Sequence, residues 1–102
     1  MDNEQCSFEI ILHSGNANSS FLEAMDKIEE FRFEEAQEDI KNGEKELAAA
    51  LKAHMDILVK ISSGEQVICD CLLTHAFDHV VEAQCNKNFV IRLMKLYQTI
   101  NK

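Results

Sequence analysis

The chain has 102 residues, 46% hydrophobic and 27% charged, the make-up of one globular domain across residues 1–102 with no second core. It holds no proline, no tryptophan and three glycines, too few turn formers for a sandwich, barrel or parallel-sheet fold, so a few long helices are predicted. Ten Lys and Arg against 18 Asp and Glu leave a formal net charge of −8. That balance speaks against nucleic acid and an anionic membrane surface, and for a locally positive protein partner.

The first predicted helix carries Phe8, Ile11, Leu12, Gly15, Asn18, Leu22 and Met25 at three-and-four spacing. Asp2, with Gln5 three residues on, is placed to start it as a capping-box variant. Gly15 in mid-pattern costs about 1 kcal/mol against alanine, so close approach by another helix is predicted there. Glu29-Glu30-Phe31-Arg32 makes a short link, which sets the second helix antiparallel to the first.

In the second helix Phe33, Ala36, Ile40, Gly43, Leu47, Ala50, His54, Ile57 and Ile61 alternate steps of three and four, a heptad-like stripe. Ser62-Ser63-Gly64-Glu65 is the clearest breaker, and Asp70 is placed to cap the third helix. There the stripe runs through Ile68, Leu72, His75, His79, Glu82, Asn86, Phe89, Leu93, Leu96 and Ile100. The predicted fold is all-α, an up-down three-helix bundle. A domain this short buries only about 60–65% of its unfolded surface, and oligomerisation is a common remedy.

Cys6, Cys69, Cys71 and Cys85 lack zinc-site spacing. No secretory leader or membrane span is legible, so reduced thiols in the cytoplasm are predicted. Met25, Met55 and Met94 read as packing residues, and His13 receives no role.

The third stripe turns polar at its centre. His75, Asp78, His79 and Glu82 are related by steps of three, four and seven and share one broad face. A solvated face is the plainest reading, but these residues interrupt an apolar stripe. Histidines at i and i+4 have the spacing to hold a metal, with Asp78 as an oxygen ligand. The segment His-Ala-Phe-Asp-His lacks the glutamate of the metalloprotease motif. Alternatively, a neutral imidazole offers a lone pair that attacks phosphorus to form a phosphohistidine. Spacing permits both.

Phe8-Glu9-Ile10, Gly15-x-Ala17-x-Ser19 and Leu22-Glu23-Ala24 resemble the start of the IIA component of the bacterial lactose/cellobiose-type sugar phosphotransferase system. Ala53-His54, the Ser63-Gly64-Glu65 turn and His75-x-x-Asp78-His79 resemble the same family in the same order, over nearly the whole chain. The resemblance implies that His75 accepts a phosphoryl group from the phosphocarrier HPr and passes it to the IIB component. It implies a homotrimer of three-helix bundles in which Asp78 meets its symmetry mates around one Mg2+, with His79 supporting the site. His54 matches a family position at which a packed core histidine and a catalytic one both remain open.

No nucleotide cofactor is implied, and the sugar permease is engaged only indirectly. The chain departs from the family at Phe77, where glutamine is usual, and in a shorter stretch between His54 and Ser63. A non-catalytic helical interaction module and a metal-binding bundle on His75, Asp78 and His79 are the alternatives from other classes.

Overall fold

Helix formation starts at Asp2. In the computed structural model, which describes residues 2–101, its carboxylate accepts from the backbone N–H of Gln5 at 2.8 Å. Its own N–H donates to Gln5 Oε1 at 3.1 Å, completing the predicted capping box. The helices are α1 (Asn3–Glu29), α2 (Phe33–Ser62) and α3 (Cys71–Ile100), in a bundle of 54 × 19 × 19 Å with no strand among the described residues. This is the predicted all-α, up-down arrangement.

Each break lies where the sequence places it. α1 ends at Glu29, and the chain reverses through Phe31 at φ 60°, a left-handed conformation that a bulky side chain adopts only under constraint. The constraint is a Schellman-type helix end, in which the Phe31 N–H donates to Ile28 O and the Arg32 N–H to Lys27 O, each at 2.9 Å. The half-exposed Phe31 ring adds contacts to Phe33 at 6.0 Å and Tyr97 at 5.8 Å, ring centre to ring centre. The second reversal uses Gly64 at φ 89°. Asp70 then caps α3, accepting from the N–H of Leu73 at 2.9 Å.

The core divides into two clusters along the bundle axis. Phe21, Ala24, Ile28, Ala36, Ile40, Leu47, Val90 and Met94 fill the end that holds the α1–α2 turn. Cys6, Ile10, Ala50, Ala53, Ile57, Leu73, Ala76 and Val80 fill the end where α1 and α3 begin. α2 buries its predicted stripe from Ala36 to Ile57 with His54 half-buried, but Ile61 at the tip is exposed.

In α1 and α3 the buried face differs from the predicted one. α1 turns Ile10, Ala17, Phe21, Ala24 and Ile28 inward, together with Ser7 and Ser14, and leaves Phe8, Leu12 and Leu22 outside. α3 turns Leu73, Ala76, Val80, Ala83, Val90 and Met94 inward and leaves Phe89, Leu96 and Ile100 outside. Both helices are apolar on two faces. The inner face mixes Ile10, Phe21, Ile28, Leu73 and Val80 with several alanines, and the outer face carries large apolar residues of its own, so three-and-four spacing alone does not single out one face. The histidines therefore interrupt an outward stripe, not the core of the chain.

The prediction at Gly15 also fails: a Cβ there would meet nothing within 4 Å. Close approach occurs at Gly43, where a Cβ would lie 2.4 Å from Cε1 of Phe21.

Candidate functional site

Because α3 starts at Cys71, its second and third turns carry His75, Asp78 and His79. His75 is exposed and His79 half-buried. One turn separates them, and their Nε2 atoms lie 3.0 Å apart, with ring centres 4.4 Å apart and planes at 83°. One ring donates an N–H and the other accepts it, so the pair holds the exposed imidazole in a fixed orientation. Nδ1 of His79 is buried and has no hydrogen-bond partner.

Asp78 is exposed on the outward face. Glu82, Phe89, Leu96 and Ile100 follow it at steps of four and seven and continue that face to the other end of α3. Among the described residues, no group of three or more His, Cys, Asp or Glu is gathered to hold a metal ion. A metal-binding bundle made within one chain from His75, Asp78 and His79 thus lacks its ligand set.

Phe77 and His54 lie elsewhere. Their rings pack 4.5 Å apart, and Phe77 also joins the apolar cluster beneath the site. The departure from glutamine at this position is therefore turned toward α2, away from the Asp78 face. His54 is a packing residue against that ring, and the fold does not bring it to His75.

His13 has a setting that its sequence neighbourhood half discloses. Its Nδ1 lies 2.6 Å from Glu46 Oε2 of α2, and its Nε2 lies 3.1 Å from Glu9 Oε2 of α1. The hydrogen bond to Glu46 is the main cause holding its pKa above the ordinary histidine value, against desolvation and with further help from the Glu46 and Glu9 charges. The Glu9–His13 spacing of four is visible in the sequence, whereas Glu46 is 33 residues away.

Cys6 is buried, Cys69, Cys71 and Cys85 are exposed, and all four are free thiols. Among the described residues no helix is long and apolar enough to cross a membrane.

Residues 5–98 match the family model of the lactose/cellobiose-specific IIA subunit of the phosphotransferase system. The chain belongs to this family. It is 36% identical over 101 residues to the oligo-β-mannoside-specific IIA component of Bacillus subtilis strain 168, covering 99% of this chain and 92% of that protein. It is 31% identical to the lichenan-specific IIA component of the same strain, covering 97% of this chain and 90% of that one. The crystal structure of a cellobiose-specific enzyme IIA from Bacillus anthracis superposes with a TM-score of 0.93 at 27% identity, over 99% of this chain and 94% of that chain. The chain is thus an IIA component of a sugar phosphotransferase system, as its motifs imply. The names of these three relatives carry three different sugars, so similarity alone does not choose one for this chain.

Proposed function

We propose that this IIA component is a cytoplasmic phosphohistidine carrier. It accepts a phosphoryl group from phosphorylated HPr on His75 and passes it to the IIB component during uptake of a lactose- or cellobiose-type sugar. The observation that carries this reading is the exposed His75 ring, bonded to His79 at 3.0 Å, at the motif position where the family resemblance puts the acceptor.

The chemistry needs little from the protein beyond placement. In the neutral imidazole one ring nitrogen keeps a lone pair. That pair forms the new P–N bond in line as the P–N bond to the HPr histidine breaks, and the electrons of the broken bond return to the HPr ring. One phosphorus–nitrogen bond replaces another, so the exchange runs with little driving force either way, as a carrier serving a donor and an acceptor requires. His79 orients the acceptor ring. Exposure of His75 lets two partners reach it in turn. No nucleotide takes part, and the sugar permease is met only through IIB.

The same reading makes the working species a homotrimer. Phe8, Leu12 and Leu22 of α1, with Phe89, Leu96 and Ile100 of α3, are large apolar side chains that one chain leaves exposed and neighbouring copies would cover. Asp78 shares the α3 part of that face, and three carboxylates meeting there would repel one another. Asp78 is a hard oxygen donor and fits Mg2+, one ion per trimer, which would supply charge neutralisation at the shared face.

The test is to incubate the protein with phosphorylated HPr and map the product by mass under alkaline conditions. A single phosphate on His75, absent from His75→Gln, is the expected result. No label on a folded protein facing a competent donor would overturn the carrier role and favour a helical interaction module.

A further inference from the structure

Two buried polar atoms on facing helices lack partners. Ser14 Oγ on α1 belongs to a fully buried residue and has no hydrogen bond, even to the carbonyls of its own helix. His79 Nδ1 on α3 is buried and equally unpartnered. Among the described residues Asp39 Oδ2 also lacks a hydrogen bond, but it differs because Lys27 Nζ lies 2.6 Å from it as an ion pair. An unsatisfied buried polar group costs about 1–3 kcal/mol, so two of them on one seam call for a joint explanation.

The register of the seam brings them near each other. α1 and α3 run parallel, and Asn86 Nδ2 donates to Asn18 Oδ1 across them at 2.8 Å. Cys6 and Ile10 share one core cluster with Leu73, Ala76 and Val80, so α1 and α3 stay packed together toward the site end. Ser14 is one turn from Asn18 in that direction. His79 is two turns from Asn86, on the face through which Asn86 reaches α1. The remaining axial offset is about 4.5 Å at the helical rise per residue, within the span of two side chains and one water.

We propose that Ser14 is a positioning residue for the phosphoryl acceptor, acting through His79: its hydroxyl donates to His79 Nδ1, directly or through a single water. This rests on the carrier reading given above. A proton donated to Nδ1 leaves that nitrogen as the acceptor and places the ring hydrogen of neutral His79 on Nε2. The Nε2–H then points at His75 Nε2, 3.0 Å away, and holds that ring until the donor arrives; the hydrogen bond opens as the His75 lone pair attacks phosphorus, and the same N–H turns to an oxygen of the bound phosphoryl group. The opposite polarity would place an N–H on buried Nδ1, which needs an acceptor there; Ser14 serves as donor because no carbonyl takes its hydroxyl hydrogen. The chain Ser14–His79–His75 thus runs from the α1 core face to the exposed ring.

Nitrogen-15 NMR of the histidine rings in the full chain reads the tautomer directly and needs no phosphoryl donor. The wild type is expected to show His79 protonated on Nε2, and Ser14→Ala a mixture of the two tautomers. Ser14→Ala should also lower the denaturation midpoint, because a bonded hydroxyl has been removed. Removing an unpartnered one would raise it. Phosphorylation of His75 in the variant should slow on the order of three- to tenfold. A wild-type His79 protonated on Nδ1, or a Ser14→Ala chain with an unchanged His79 signature and a raised midpoint, overturns the proposal. Absence of phosphorylation in the wild type with the tautomer effect intact would instead remove the carrier reading and leave the hydrogen-bond chain standing.

Discussion

A methyl group added at Gly43 would stand 2.4 Å from one Phe21 ring carbon and 2.7 and 2.9 Å from two others. Phe21 is fully buried in the cluster near the α1–α2 turn, so its ring cannot swing aside without displacing Ala24, Ile28 or Leu47. Overpacking of this kind costs about 1–3 kcal/mol, more than the roughly 1 kcal/mol that alanine gains over glycine in a helix. Gly43→Ala is therefore expected to lower the urea midpoint, and a midpoint at or above that of the wild type would show that the ring relocates. At Gly15 no atom stands within 4 Å of an added Cβ, so the same substitution meets no barrier within the chain.

Between elements, α1 is held to α2 by more than apolar packing. His13 carries a carboxylate on each ring nitrogen, Glu46 from α2 and Glu9 from α1, and both bonds can be donated only by the protonated ring. Lys52 and Asp56 line the same surface depression and add one charge of each sign. The folded-state pKa of His13 is raised above 6.5, the hydrogen bond to Glu46 being the largest cause. A raised pKa means that the folded chain binds the proton more tightly than the unfolded one. The stabilisation is fully present below pH 6.5 and is lost as pH rises through the folded-state value. His13→Gln should therefore flatten the fall in stability above neutrality, with its largest deficit against the wild type in mildly acidic buffer. Equal pH dependence in the two proteins, measured by urea denaturation at steps from pH 5.5 to 8.5, would place the titration elsewhere.

Such cross-links are what the sequence shows least well. Helix boundaries were legible because they rest on local chemistry: Asp2 with Gln5, Asp70 with Leu73, and the Ser62–Glu65 break all act within four residues. The pairing of His75 with His79 was legible for the same reason. The inner faces of α1 and α3 were not, because Phe8, Leu22, Phe89 and Leu96 point outward and make a second apolar face that competes with Ile10, Phe21, Ile28, Leu73 and Val80 on the inner one. Contacts that depend on register between distant helices, such as Phe21 on Gly43 or His13 on Glu46, leave no trace in a single sequence.

For the whole molecule, the outward apolar residues decide between a stable single chain and an assembly. Phe89 is 57% exposed and lies on the Asp78 face, outside the core, so charging it leaves the interior of the bundle untouched. Fully burying a phenylalanine contributes about 1.5–3 kcal/mol, and a closed trimer would gain this three times over at this position alone. Three copies also bring together triple the formal charge of −8, including the Asp78 carboxylates, so assembly requires the apolar gain and relief of repulsion at once. Sedimentation or light scattering of the wild type is expected to give three times the mass of one chain, and Phe89→Lys the mass of one, with helical content unchanged. Metal analysis of the trimer should find one Mg2+ per three chains, and Asp78→Asn should lose it while remaining trimeric, because neutral amides no longer repel. A wild type that runs as a single chain would overturn the assembly. One metal per chain would instead move the ion away from a shared Asp78 site.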